Sequence, residues 1–269
     1  MMIERLSIEL TNRCDKGCGF CYNQSLPGGD TLWCVDEVIS LVEDCAAHGL
    51  RAVSFGGGEP LQYPGVHALL EALQGRLFRS LTTNGLPLVD RAEFDRLVVA
   101  RPDKVHVSIH RPGSSAEVER VIATVQALAD AGIASGVNLL VPAHQLEAAA
   151  QAALRLREAG IDNRRIVYLP QRGAHTPTPK QVATIAGGPF QSMSCLRACA
   201  KSARFCSLSW DKSIAWCSYT SARRTLSAPT HASLLATLDG LDLVDCALHA
   251  RTEPRPMTWS RPLPRTFTE

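Results

Sequence analysis

Through its first 170 residues the chain repeats one rhythm: a short apolar strand pattern, then an amphipathic helical one. Ile3 to Thr11 alternates apolar and polar residues, as a strand does. A loop follows, then a helical stretch from Val35 to His48 ended by Gly49. Arg51 to Phe55 reads as a strand running into Gly56-Gly57-Gly58, and His67 to Leu73 has helical spacing. Ser80 to Thr83 is a strand closed by the turn pair Asn84-Gly85, and Arg91 to Val99 reads as a helix. Lys104 to His110 sets Val105, Val107 and Ile109 on one face and His106, Ser108 and His110 on the other. A helix from Glu117 to Ala131, a strand from Gly136 to Val141, a helix from Gln145 to Ala159 and a strand from Ile166 to Leu169 complete the series. Each strand is followed by a helix or by room for one. Such alternation predicts a parallel sheet with right-handed crossovers. Six units are too few for an eight-fold barrel, so the expected fold is α/β, a partial (β/α)6 barrel. In full barrels the chemistry sits at the C-terminal strand ends, and Cys14–Cys21, Gly56–Glu59, Asn84, Ser108, His110 and Asn138 all fall near such ends.

The cysteines break an otherwise ordinary composition. The 269 residues are 45% hydrophobic and 20% charged, which excludes a disordered chain. Lys plus Arg number 28 against 26 Asp plus Glu, so nothing in the charge points to nucleic acid. No run of eighteen apolar residues predicts a membrane span, and the N-terminus lacks a secretory apolar stretch. A cytoplasmic protein is expected. Ten cysteines stand at 14, 18, 21, 34, 45, 195, 199, 206, 217 and 246. Disulfide scaffolds are short and secreted, whereas two cysteine clusters in a reducing compartment point to metal. Soft sulfur selects zinc or iron–sulfur clusters. Cys34 and Cys45 fit no ligand pattern and read as buried thiols.

Cys14-Asp15-Lys16-Gly17-Cys18-Gly19-Phe20-Cys21 places three thiols within eight residues, directly after a strand. A four-iron cluster ordinarily takes four cysteines, so three leave one iron open for an exogenous ligand. A structural zinc loop would want a fourth Cys or His nearby, and residues 22–33 hold none. This spacing, with an aromatic residue before the third cysteine, resembles the radical S-adenosylmethionine (radical SAM) superfamily. Gly57-Gly58-Glu59-Pro60 and Thr83-Asn84-Gly85 look like two further motifs of that family. The resemblance covers residues 3 to about 170. It implies a [4Fe–4S] cluster on Cys14, Cys18 and Cys21, with SAM on the open iron. It also implies that Gly57, Gly58 and Glu59 hold the SAM amino group, largely through backbone, with Asn84, Ser108 and Asn138 as further cofactor contacts. The chemistry implied is cleavage of SAM to a 5′-deoxyadenosyl radical that abstracts hydrogen from a C–H bond. His110 is the one catalytic candidate, as a substrate ligand or proton shuttle. Tyr168 and Arg172 can touch SAM or substrate, or close the barrel and face solvent.

Beyond about Gly187 the rhythm stops, dividing the chain into a barrel at 1–186, a cysteine-rich region at 187–250 and an Arg/Pro-rich tail at 251–269. Ser207 to Trp216 reads as a hairpin turning at Asp211-Lys212-Ser213. Ala232 to Leu238 and Leu241 to Leu248 read as short helices. Cys195, Cys199, Cys206 and Cys217 resemble the ligands of Twitch or SPASM-type appendages, which hold auxiliary [4Fe–4S] clusters. Ser213 stands near the turn position where those families place Gly, and Cys246 can replace Cys195 or Cys199. Zinc or free thiols are the alternatives.

The function expected is hydrogen abstraction from a peptide or natural-product substrate, with an auxiliary cluster. The alternatives are a small-molecule dehydrogenase acting on a sugar or amino-acid-like compound, an activating enzyme for another protein, and a non-enzymatic iron–sulfur or zinc protein. Partners expected are an electron donor such as flavodoxin or ferredoxin and, because the first strand begins at residue 3, a leader-peptide-binding protein on a separate chain.

Overall fold

A computed structural model describes residues 2–244 and 246. Its parallel strands are β1 (Arg5–Thr11), β2 (Ala52–Gly57), β3 (Phe78–Thr83), β4 (Lys104–Ile109), β5 (Ala134–Val141) and β6 (Ile166–Pro170). The helices between them are α1 (Val35–Ala47), α2 (Val66–Ala72), α3 (Arg91–Ala100), α4 (Ser115–Asp130) and α5 (Leu146–Glu158). All eleven expected barrel elements are present, and most ends move by no more than two residues. Neighbours in sequence pair throughout, giving the order β6-β5-β4-β3-β2-β1. The fold is the expected partial barrel, open rather than closed. A sixth helix, α6 (Pro179–Ala186), fills the room after β6. Thr178 and Gln181 form a capping box at its start, and Gly187 ends it at φ 72.

The period-2 alternation decides what lies on each side of the sheet. Leu6, Ile8, Phe55, Leu81, Val105, Val107, Ile109, Val137 and Leu139 are fully buried against the helices. Their neighbours Ser7, Ser54, Ser80, Thr82, His106, Ser108 and Asn138 line the space inside the curve. Closed barrels fill that space with branched apolar layers. Here it is lined by small polar residues and stays open.

The C-terminal region continues the same sheet. α7 (Met193–Arg197) leads to β7 (Phe205–Leu208), which pairs in parallel with the free edge of β1. β8 (Ser213–Ala215) and β9 (Arg224–Thr225) add antiparallel, making nine strands, and α8 (His231–Leu238) follows. The expected hairpin is therefore β7–β8. Its left-handed residue is Lys212, at φ 63, where Gly would be easiest. The Lys212 side chain is anchored by Glu37 at 2.7 Å and by the Trp33 ring at 5.3 Å, which holds the turn.

Register corrects one expectation. Leu6 pairs with Cys206, Ser7 with Ser207 and Ile8 with Leu208. Cys206 thus shares the core face with Leu6 and Leu208 and is fully buried. Burial pushes its thiol well above the ordinary value. Side chains alternate along a strand, so it cannot also face the other C-terminal cysteines. The second expected helix, Leu241 to Leu248, lies partly outside the described residues; 241–244 are not helical. The tail at 251–269 lies wholly outside them. Among the described residues no helix is long and apolar enough to cross a membrane.

Candidate active site

A cavity of about 480 Å³ opens at the C-terminal ends of the strands. Cys14, Cys18 and Cys21 form one wall, and Gly57, Gly58, Asn84, Ser108, His110 and Asn138 all line it, as the sequence predicts. The loop after β1 is shaped by its own backbone: Cys14 N donates to Leu26 O at 3.0 Å and Cys21 N to Cys18 O at 3.1 Å. Asn84 donates from Nδ2 to Cys14 Sγ at 3.6 Å, within reach for sulfur. Phe20 is partly exposed into the cavity, 6.3 Å from the His110 ring.

The end of β2 is pressed onto this loop. Gly58 N donates to Thr11 O at 2.6 Å and Glu59 N to Arg13 O at 2.8 Å. A Cβ on Gly58 would stand 2.1 Å from Arg13 O, and one on Gly57, at φ 119, 2.4 Å from Thr11 O. The glycines are thus required by close approach of two backbones.

The Glu59 side chain turns away from the cavity. It is fully buried and absent from the cavity wall. Its carboxylate accepts from Thr83 Oγ1 at 2.7 Å, Asn84 N at 2.7 Å and Leu61 N at 3.2 Å. The side chain therefore pins the turn after β3, which aims Asn84 at Cys14. Burial pushes its carboxyl up to about 7, against those hydrogen bonds.

Lys16 is a residue the cysteine spacing does not single out. It sits among the three cysteines, yet its side chain turns down to bond Glu117 Oε1 at 2.7 Å and His110 Nδ1 at 2.9 Å. Glu117 also accepts from His110 N at 2.6 Å. The cysteine loop is thereby tied to the junction of β4 and α4. A lone lysine in a loop otherwise rich in Gly and Cys was the available signal, but its partners lie about a hundred residues on.

Arg172, Ser218 and Tyr219 also line the cavity. The Arg172 guanidinium lies 5.7 Å over the Tyr219 ring and bonds Cys195 Sγ at 3.1 Å. The Tyr219 and Tyr22 rings are 4.8 Å apart. Tyr219 N donates to Cys217 Sγ at 3.5 Å. Burial pushes the Tyr219 phenol up, Arg172 opposes this, and Cys217, Cys195 and Cys246 lie near enough to add to it. Cys206 lies in the core and Cys199 is exposed at the surface. Tyr168, by contrast, faces the helices, donating to Asn163 Oδ1 at 2.8 Å. Cys45 is buried in the core as expected, but Cys34 is exposed, because it stands at the N-cap of α1 rather than on its buried face.

An open parallel barrel with three cysteines at the mouth, after β1, defines a class of iron–sulfur proteins that bind a ligand over the cluster. The Radical SAM superfamily profile matches residues 8–175. This chain belongs to that superfamily. It is 37% identical over 107 residues to a probable GTP 3′,8-cyclase of Methanocella arvoryzae, covering 40% of this chain and 34% of that protein. It is 35% identical over 115 residues to the GTP 3′,8-cyclase of Streptomyces coelicolor, covering 39% and 32%. The chain thus matches about a third of the length of these relatives. The fold is similar to Streptococcus suis SuiB bound to S-adenosylmethionine, with TM-score 0.68 and 13% identity, covering 89% of this chain and 67% of that one. It is also similar to anSMEcpe with bound AdoMet, with TM-score 0.61 and 14% identity, covering 87% and 80%.

Membership implies a [4Fe–4S] cluster and SAM. The residues present fit both. Burial raises the Cys14 and Cys18 thiols, so they stay protonated unless a strong Lewis acid takes them as thiolates. Among the described residues no three His, Cys, Asp or Glu side chains converge closely enough for a single metal ion. Cys14, Cys18 and Cys21 all line the cavity, and three thiolates are the ligand set that leaves one iron of a four-iron cluster open. The cavity beyond them has room and polar groups for a second molecule.

Proposed function

We propose that the chain abstracts hydrogen from a C–H bond of a peptide or natural-product substrate seated between its two cysteine groups. The observation that carries this reading is one cavity lined by Cys14, Cys18 and Cys21 and also by Arg172 and Tyr219, with Arg172 bonded to Cys195. The bound cofactors supply one-electron cleavage of SAM to methionine and a 5′-deoxyadenosyl radical. In this reading Gly57 and Gly58 offer backbone carbonyls to the SAM amino group. Ser108 and Asn138, neighbours in the β4–β5 register, hold the polar remainder of SAM. Leu140 and Leu169 provide an apolar floor that keeps water from the radical. Cys195, Cys217 and Cys246, with Cys199 as the remaining candidate, hold an auxiliary [4Fe–4S] cluster beside the substrate. An electron donor such as flavodoxin or ferredoxin completes the system.

A second reading, a small-molecule substrate, is favoured by the GTP 3′,8-cyclase relatives. One experiment addresses both. The protein is reconstituted anaerobically with iron and sulfide, and its SAM cleavage is followed by 5′-deoxyadenosine release. About eight irons per chain are expected, falling to about four in a Cys14/Cys18/Cys21→Ala triple variant and in a Cys195/Cys217→Ala double variant. Cys18→Ala abolishes 5′-deoxyadenosine. Undiminished release in that variant refutes the site. Consumption of GTP with SAM supports the second reading over the first.

A further inference from the structure

His110 has two roles open to it as a cavity residue: to move a proton, or to donate a fixed hydrogen bond. The geometry decides between them. Lys16 Nζ approaches His110 Nδ1 at 2.9 Å while pairing with Glu117 at 2.7 Å. A lysine ammonium has only donors, so Nδ1 must accept and carries no proton. A neutral imidazole then bears its hydrogen on Nε2, at the ring edge opposite Lys16. His110 lines the cavity, so that edge is the one left to face a ligand. Lys16 and Glu117 are each less than a tenth exposed, which holds the arrangement rigid.

We propose that Lys16 locks His110 as a neutral Nε2–H donor to an acceptor oxygen of the molecule in the cavity, and that His110 is not a proton shuttle. The surroundings of the ring agree with this on balance. Burial first, then Lys16, Arg120 and Arg111, lower the His110 pKa to about 4, and only Glu117 opposes them. Protonation would set an imidazolium against the Lys16 ammonium. The same lysine lies in the cysteine loop, so one side chain joins the metal site to the orientation of a ligand donor. The acceptor is the carboxylate of SAM or an oxygen of the substrate.

Nitrogen-15 spectroscopy of imidazole on the full chain tests the lock without any cofactor chemistry. The Nε2–H tautomer is expected from pH 5.5 to 8, becoming a mixture in a Lys16→Met/Glu117→Gln double variant, which leaves no unpaired carboxylate. An Nδ1–H tautomer, or a charge appearing between pH 6 and 7, overturns the proposal. The donor role, which rests on SAM binding in this cavity, is read by equilibrium dialysis of reconstituted protein. His110→Phe is expected to weaken SAM binding about tenfold, the scale of one hydrogen bond to a charged group. His110→Gln, which restores an N–H, recovers most of it. Loss for SAM but not for decarboxylated SAM assigns the carboxylate as acceptor. Unchanged SAM binding with weakened GTP binding assigns the substrate. Unchanged binding of both overturns the donor role, while normal tautomer spectra in that case leave the superfamily assignment untouched.

Discussion

Glu59 is held by three neutral donors and no salt bridge, deep inside the protein. A carboxyl at about 7 in the fold against 4.5 ordinarily binds its proton more tightly folded than unfolded. Its contribution is therefore complete below pH 4.5 and is lost as pH rises through about 7. Wild type should lose about 3 kcal/mol relative to Glu59→Gln between pH 4.5 and 7.5. Chemical denaturation of both proteins across that range measures the difference, and parallel curves would refute the buried-acid assignment. Cys206 gives a second residue-scale prediction. Cys206→Ala should leave the iron content at the wild-type value while lowering stability by about 1 kcal/mol, since it removes a buried sulfur. Loss of four irons in that variant would return Cys206 to the ligand set.

Arg79 shows how the strands and helices are bolted together. It is 2% exposed and bonds the Asp103 carboxylate at 3.0 Å, Arg101 O at 2.7 Å and Leu70 O. Two of those acceptors are carbonyls at the C-terminal ends of α2 and α3, which have no helical partner of their own. Arg79→Met should cost about 3–5 kcal/mol, measured by urea unfolding, because it strips a buried charge network of its donor. Gly58→Ala acts on the end of β2. Its methyl has no room beside Arg13 O, so the cysteine loop must move, and iron uptake should fall with stability. Normal iron uptake would show that the loop yields without losing its shape. These elements were legible in the sequence because apolar period and turn residues are local signals, as at Val105, Val107 and Ile109. The three-cysteine wall was legible from spacing alone. Glu59, Lys16, Cys206 and Lys212 were not, because each depends on a partner 24 to 200 positions away. The side chain of Glu59 is committed to Thr83 and Asn84, which no local pattern signals. Cys206 looked like a metal ligand until its register with Leu6 placed it in the core.

At the scale of the whole molecule, the barrel and the cysteine-rich region are one sheet. β7 covers the edge of β1, and the loop after the cysteines is fastened to it by Leu32 N to Trp210 O at 2.9 Å and Trp33 Nε1 to Ser209 O at 2.8 Å. A chain ending at residue 186 should therefore expose the β1 edge and self-associate, as unpaired strands do. Size-exclusion chromatography reads this directly, and a monodisperse truncated barrel would show that β1 needs no cover. The pairing of β1 with β7 also sets a clock on biosynthesis. Ribosomes add about 5–20 residues each second, so the roughly 200 residues between β1 and β7 take about 10–40 s to appear. During that interval Cys14, Cys18 and Cys21 have been made but their supporting edge has not. The three thiols thus precede by tens of seconds the strand that covers the edge of β1.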